Sequence, residues 1–313
     1  MHPVLKEIVD LLDVEPIEQN LYRGQNHNTE HVFGGQVLAQ SIAAAFRTVR
    51  PEHQLHSLHG YFLRGGDWKV PILYEIDRIR DGRSFSTRRV VAIQHGRAIF
   101  ELASSWHKQE QGPVHREVMP DVPPPGALRS DSAVYEEIAQ TRPDVKRYAF
   151  RFEAIDSRQV ERLFLTTEAQ HPPLKHTWIR TRDPLPDNPE VHLAMLAYMS
   201  DLDFMSTSTL PHPRSPDRDD MMGTSLDHAL WFHRPFRADQ WLLFAKSSPS
   251  AAGARGFVRG RFYSADGELV ATAAQECLIR PISADSRAAA AASAAAADAG
   301  EAKATPAEKD SAP

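Results

Sequence analysis

GFVRGRFYSADGELVATAAQECLIR, running from Gly256 to Arg280, is the stretch that decides the fold. Two strand-like runs, Gly256 to Ser264 and Glu268 to Arg280, flank Asp266-Gly267. Such a pair predicts a hairpin, because glycine takes positive φ without steric cost. Working back toward the N-terminus, two more strand-like runs precede it, Leu226 to Arg234 and Trp241 to Ser247. Before them a helix is expected to start at Asn188 as N-cap, with Pro189 at its first position. Val191, Met195, Tyr198 and Leu202 give that helix an apolar stripe.

The same order occurs earlier in the chain. Glu15-Pro16-Ile17 opens the first half as Glu153-Ala154-Ile155 opens the second. A helix is predicted from Phe33 to Val49, with Leu38, Ile42, Ala45 and Val49 on one face and Pro51 beyond its end. Strand-like runs follow at His56 to Arg64, Ile72 to Ile79, Ser84 to Gln94 and Arg97 to Lys108, with Asp81-Gly82 and His95-Gly96 as hairpin turns that exploit positive φ at glycine. Phe62-Leu63-Arg64 parallels Phe232-His233-Arg234 about 170 residues later, and Gly96 and Gly267 keep nearly the same offset. A long helix followed by antiparallel strands, given twice, predicts an α+β chain. Each helix packs on the concave face of its own curved antiparallel sheet, and the two sheets join edge to edge to remove exposed edges.

Three segments read as non-core: the Pro-rich Gln111 to Gly126, the loop Leu210 to Met222, and the Ala-rich residues beyond Ser283. Met1 to Glu15 reads as a short amphipathic helix bearing Leu5, Ile8, Val9 and Leu12. The expected division is a first domain over 1–110, a Pro-rich linker and short helix over 111–144, a second domain over 145–282, and a disordered tail over 283–313.

Bulk properties narrow the function. The 313 residues are 42% hydrophobic and 25% charged with a net charge of -5, and no basic run tracks phosphates, so no nucleic-acid partner is expected. Cys277 is the single cysteine, which excludes an intrachain disulfide and fits a reducing compartment. The N-terminal stretch is not a secretory signal, and no apolar run reaches the roughly 20 residues of a membrane span. Ser311-Ala312-Pro313 is not a peroxisomal tripeptide. A cytoplasmic location is the expectation.

Six blocks carry a resemblance. They are VFGGQVLAQ (Val32 to Gln40), HSLHGYFLRGGD (His56 to Asp67), RDGRSFSTRRVVAIQHG (Arg80 to Gly96), SDLDF (Ser200 to Phe204), LDHALWFHRPF (Leu226 to Phe236) and ARGFVRGRFYSADGELVATAAQE (Ala254 to Glu276). In their order and spacing they resemble the acyl-CoA thioesterase II family, from about Leu5 to Ile282. The resemblance implies two tandem hotdog domains and hydrolysis of fatty acyl-CoA to free acid and coenzyme A. It implies a water activated by an Asp, a Ser or Thr, and a Gln, with neither metal nor covalent acyl-enzyme. By motif these are Asp201, Ser225 and Gln275; Ser225, preceded by Thr224, stands where bacterial members often carry Thr. No cofactor is expected, coenzyme A being part of the substrate, and further association into a homo-oligomer is.

The chemistry accommodates those residues. A thioester carbonyl is electrophilic enough for direct attack by water, given a base and hydrogen bonds that orient the water. Asp201 can accept the proton, and Ser225 and Gln275 can orient the nucleophile. Asp201 falls near the end of the second helix, where the dipole's negative pole opposes a further negative charge, so a raised pKa is expected. Gln275 in an apolar run demands hydrogen-bond partners. Without the resemblance, Asp201 and Ser225 read as a capping and a turn residue.

Other patterns offer less. Gly223-Thr224-Ser225-Leu226-Asp227 lacks the second glycine of a nucleophile elbow. His53, His56 and His59 are spaced by three, but strand alternation is expected to send His56 and His59 to opposite faces, against a metal site. Cys277 shares a strand face with Gln275 and reads as a buried small hydrophobe. Gly34-Gly35-Gln36 at the first helix's start allows close backbone approach or a phosphate- or carbonyl-binding N-terminus. Arg83, Arg88 and Arg89 read as a solvated face or as coenzyme A phosphate contacts. A hotdog enoyl-CoA hydratase would carry His five positions after the Asp, where Ser206 stands; a non-catalytic acyl-CoA sensor would have no reason to bury three polar site residues.

Overall fold

The computed structural model describes residues 1–27, 32–141, 151–161, 170–212 and 221–283. The first half comprises α1 (Pro3–Leu11), β1 (Glu15–Glu18), β2 (Leu21–Gly24), α2 (Gly34–Phe46), β3 (His53–Phe62), β4 (Ile72–Asp81), β5 (Phe85–Gln94) and β6 (Arg97–Lys108). A 3-10 turn at Pro125–Ala127 and α3 (Asp131–Thr141) follow. The second half adds α4 (Arg151–Ala154), β7 (Ile155–Gln159), β8 (Leu174–Thr181), α5 (Pro189–Ser200), a 3-10 turn at Met205–Ser208, β9 (Met221–Ser225), β10 (Asp227–Phe232), β11 (Leu242–Ala252), β12 (Arg255–Ser264) and β13 (Leu269–Pro281).

Among the described residues, thirteen strands form one antiparallel sheet ordered β1-β2-β4-β5-β6-β3-β10-β13-β12-β11-β8-β7, with β9 on β13. The halves meet at β3 and β10, where Leu58 stands opposite Leu230 and His228 opposite Gly60. Each sheet thereby pairs an edge that would otherwise be left open. Two hotdog units in tandem is the result.

The repeat extends to single hydrogen bonds. Leu63 and Arg64 donate their amides to the Ile99 carbonyl, and His233 and Arg234 donate theirs to that of Val270. The Arg64 guanidinium donates to the Ala98 carbonyl, and the Arg234 guanidinium to that of Leu269. His95 and Gly96, at φ 49° and 68°, form the tight turn between β5 and β6, and Gly267 takes φ 87° in the matching hairpin. Gly82 does not adopt positive φ. It is needed because a Cβ there would lie 2.9 Å from the Phe85 carbonyl oxygen.

Of the two central helices, α5 has a side-chain cap and α2, with Phe33 as its N-cap, has none. The Asn188 side chain accepts the Glu190 amide at 3.0 Å, as its cap position requires. The expected apolar stripes understate the burial: Gly35 to Ile42 and Ala194 to Ser200 are buried on every side. The cause is that α2 packs on β4, β5 and β6 with one face and on α5 with another. Gly35 permits the crossing, since a Cβ there would sit 2.5 Å from the Tyr198 carbonyl oxygen.

Four further readings need correction. Glu153 and Ala154 form the last residues of α4 rather than a strand, which begins at Ile155. β8 was not expected, because its inward positions include Lys175 and Thr177 while Trp178 points outward, inverting the usual pattern. Residues assigned to the loop end in β9, paired with β13 through Met221 opposite Pro281. The Pro-rich segment is extended, as expected, and exposed over 111–118, but it is not wholly outside the core: Met119 and Val122, with Leu128 just beyond it, cover the outward-facing Trp178, Leu243 and Tyr263, and the Trp178 indole donates to the Pro123 carbonyl at 2.9 Å. The expected tail falls, from residue 284 onward, outside the described residues.

Candidate active site

The helix α5 runs out at Asp201, its C-cap, whose side chain is 7% exposed. β9 delivers Ser225 and β13 delivers Gln275, and the pairing of Ser225 opposite Cys277 puts the two side by side. The Gln275 amide donates to Ser225 Oγ at 2.8 Å, and Ser225 Oγ donates to Asp201 Oδ1 at 3.4 Å. Thus the structure brings the three sequence-derived residues together. Thr224 is exposed and makes neither of these bonds.

Behind Gln275 lies a fourth residue. His228, on β10 and fully buried, bonds through Nδ1 to Gln275 Oε1 at 2.6 Å and through Nε2 to Ser200 Oγ at 2.9 Å. Burial pushes its pKa down to about 4, partly opposed by the Gln275 bond, so the ring is neutral at ordinary pH. A carbonyl oxygen cannot donate, so Nδ1 carries the proton and Nε2 is the bare nitrogen beside Ser200 Oγ, whose hydroxyl also reaches the Ala197 carbonyl at 2.8 Å. Donors then run in one direction, from His228 through Gln275 and Ser225 to the Asp201 carboxylate. Sequence reading gave His228 no role, although it stands two residues after Leu226 in one of the six blocks. The available signal was a second polar residue in a strand otherwise apolar on its inner face.

The first half completes the site. Gly34, in the first turn of α2, has so close an approach to Asp201 that a Cβ would lie 2.7 Å from Oδ2. Phe33 and Tyr198 lock the two helix ends edge to face, with ring centroids 5.0 Å apart. The positive pole of α2 therefore meets the carboxylate that ends α5, whose own negative pole opposes it. Gly34, Asp201 and Ser225 line one cavity of about 420 Å³, while Gln275 reaches it only through Ser225.

Comparison with known proteins places this arrangement. A family profile described as acyl-CoA thioesterase matches residues 146–278, and one described as the acyl-CoA thioesterase N-terminal domain matches residues 23–107. Acyl-coenzyme A thioesterase 8 of Mus musculus is 39% identical over 87% of this chain and 88% of its own length. Acyl-CoA thioesterase 2 of Haemophilus influenzae is 34% identical over 90% of this chain and 99% of its own. The crystal structure of the acyl-CoA thioesterase II TesB2 from Mycobacterium marinum superposes with a TM-score of 0.75 at 42% identity, over 88% of this chain and 99% of that one.

The chain belongs to the acyl-CoA thioesterase II family.

Several other residues of this thioesterase sit elsewhere than expected. A bulge makes His56 the extra residue between Leu55 and Ser57, so it faces outward with His59 rather than away from it. His56 bonds Ser105 and His59 bonds Asp227, while His53 is buried against Ser86. Arg88 is neither solvated nor available to coenzyme A. It is buried, donating to the Thr48 carbonyl at 2.8 Å past the end of α2 and pairing with Asp81 at 2.5 Å. Arg89 is exposed and paired with Glu101. Cys277 does share the inner face with Gln275, and burial pushes its thiol pKa up, so it is a packed residue of the thioesterase core. Among the described residues, no helix is long and apolar enough to cross a membrane.

Proposed function

We propose that the cavity holds the thioester of a fatty acyl-CoA and that water held by Asp201 and Ser225 attacks it directly. Asp201 takes the water's proton as the O–C bond forms. Collapse of the tetrahedral oxyanion breaks the C–S bond, and the proton returns to the departing thiolate, leaving free acid and coenzyme A. First-turn amides of a helix lack intrahelical partners, so the Gly34-Gly35 start of α2 supplies donors for the oxyanion. Gln275, held from behind by His228, keeps the Ser225 hydroxyl aimed at Asp201. This chemistry calls for no metal or cofactor.

The observation that carries the reading is the continuous donor chain ending on Asp201 at the cavity wall. The hydratase alternative fails on the same geometry. Position 206 is Ser, and His228, though 3.9 Å from Asp201 Oδ1, has both ring nitrogens engaged away from the cavity. The test is thiol release from a panel of acyl-CoAs by wild type, Asp201→Ala and Gln275→Ala. Rapid release by wild type, lost in both folded variants, supports the assignment; acyl-CoA binding with no release from any substrate makes the protein a sensor. We further propose that it acts as a homo-oligomer in the reducing cytoplasm. Exposed Tyr61, Trp231 and Phe257 on the outer sheet face and a lone free thiol support this, and light scattering of the purified chain tests the first part.

A further inference from the structure

The turn that follows α5 is held by charges from across the sheet. Asp201 caps the helix in the right-handed region, and two residues later Asp203 takes φ 55°. Aspartate tolerates positive φ better than most residues, but the conformation is still disfavoured and persists where surrounding contacts over-determine it. Here both ends of the residue are gripped. The Asp203 carboxylate takes Lys175 Nζ at 2.5 Å and Lys246 Nζ at 3.5 Å. Its carbonyl accepts from Lys246 Nζ at 3.3 Å and from Ser206 Oγ at 3.2 Å, and Lys175 Nζ also reaches Ser206 Oγ at 3.4 Å.

The two lysines are an expensive way to build a sheet. They stand opposite one another on β8 and β11, both facing inward and both buried. Buried like charges side by side are unfavourable unless paired. Burial, with Lys175 beside it, brings the Lys246 pKa down to about 8 against the pull of Asp203 and Asp131. The first half is the internal control. Lys246 faces Gly260 across β11 and β12 as Ile76 faces Val90 across β4 and β5, at the offset of about 170 residues that relates the halves. Ile76 is packed in the core, and α2 ends on Arg47 rather than on an acid. The ammonium group thus replaces hydrocarbon in the half whose central helix ends on Asp201.

Asp201 is the group that such a clasp would steady. Ser225 Oγ reaches Asp201 Oδ1 at 3.4 Å, the long end of a hydrogen bond, so a shift of a few tenths of an ångström breaks it. On the other side, a Cβ on Gly34 would lie 2.7 Å from Oδ2, so the carboxylate cannot move far toward α2 either. Its backbone is tethered two residues away at Asp203, a span of at most about 7 Å. Asp203 and Lys246 line the cavity, whereas Lys175 is not part of its wall and acts on it through Asp203.

We propose that Lys175 is a positioning residue for the hydrolysis: together with Lys246 it clasps Asp203, and the clasped turn holds Asp201 in reach of Ser225. The proposal rests on the reading of Asp201 as the base that activates water. Phe204, buried against the Phe244 ring at 5.1 Å and the His228 ring at 5.8 Å, is the competing anchor for the same turn.

The experiment measures kcat and KM for thiol release from dodecanoyl-CoA, with a denaturant midpoint for each protein. The proteins are wild type, Asp201→Asn, Lys175→Met, Asp203→Asn and the double variant Lys175→Met/Asp203→Asn. Lys175→Met is expected to lower kcat about 10- to 100-fold, the scale of a misplacement of about an ångström, and to leave KM within about threefold. Asp203→Asn keeps the size and the tolerance of positive φ but loses the charge, so its kcat should fall comparably. The double variant should be no slower than the slower single one, because both substitutions remove the same contact. A merely structural lysine would lower the midpoint and leave kcat of the folded enzyme unchanged. A folded Lys175→Met enzyme with kcat within about threefold of wild type overturns the proposal and leaves Phe204 as the anchor. Losses that multiply in the double variant overturn it too, since Lys175 would then act by another route. If Lys175→Met does not fold, Asp203→Asn decides: an unchanged kcat overturns the proposal and a comparable fall supports it. No release by wild type refutes the thioesterase reading, and full kcat in Asp201→Asn refutes the base, results distinct from any effect of Lys175.

Discussion

Replacing His228 separates the role of the buried chain from that of the cavity wall. His228→Leu removes the Nδ1 proton that holds Gln275 Oε1 at 2.6 Å. The Gln275 amide then has no reason to keep its nitrogen toward Ser225, and in the flipped state the Ser225 hydroxyl donates to Gln275 instead of Asp201. A buried acceptor left unsatisfied is worth about 1–3 kcal/mol, which corresponds to a fall in kcat of roughly 5- to 150-fold. His228 does not line the cavity, so KM for acyl-CoA should change little. His228→Asn places an amide N–H near the position of Nδ1 and should recover most of the loss. Thiol-release kinetics on both variants, with circular dichroism to confirm folding, make the measurement. A folded His228→Leu enzyme with kcat within threefold of wild type would refute the directional chain.

The remaining predictions concern the junction, the core and pH. Gly34→Ala forces a Cβ to within 2.7 Å of Asp201 Oδ2 and 3.0 Å of the Phe62 ring, so kcat should fall at least tenfold while thermal stability changes little, alanine being the better helix former. Arg88→Met leaves the buried Thr48 carbonyl without its donor, at a cost of about 1–3 kcal/mol, while Asp81, 38% exposed, turns to water; the loss is read as a lower denaturant midpoint. For pH, burial holds the folded His228 pKa at about 4, below the ordinary histidine value of 6.5. Above pH 6.5 the ring is neutral in both states. As pH falls from 6.5 to 4 the unfolded chain gains a proton that the folded one refuses, so stability drops by about 3 kcal/mol. Denaturant midpoints at pH 7 and 4.5 should fall further in wild type than in His228→Asn, and an equal fall would assign the loss elsewhere.

Much of the fold was legible because it rests on local chemistry. Asn188-Pro189 can start a helix wherever it lies, and His95-Gly96 and Asp266-Gly267 turn the chain by their own φ preferences. Repetition of those signals at one offset then implied two equal units. The strands that escaped notice are those whose identity comes from a partner. β8 turns Lys175 inward onto the Asp203 carboxylate and Thr177 onto the cavity, and β9 is a strand only because β13 pairs with it. His56 reversed its expected face through a one-residue bulge that alternation cannot show.

The site divides in the same way. Asp201, Ser225 and Gln275 could be named from short blocks of sequence because each block keeps its residue on a defined element. Gly34 lies more than a hundred positions from all three, and His228, although only three residues after Ser225, reads from sequence as a core residue of its strand. Their chemistry exists only where β10 lies between β3 and β13, and where α2 crosses the end of α5. Local preferences need only neighbouring atoms. The direction of a hydrogen-bond chain and the polarity of a cavity depend on which distant groups are brought together and what water they exclude, and that the tertiary structure alone decided.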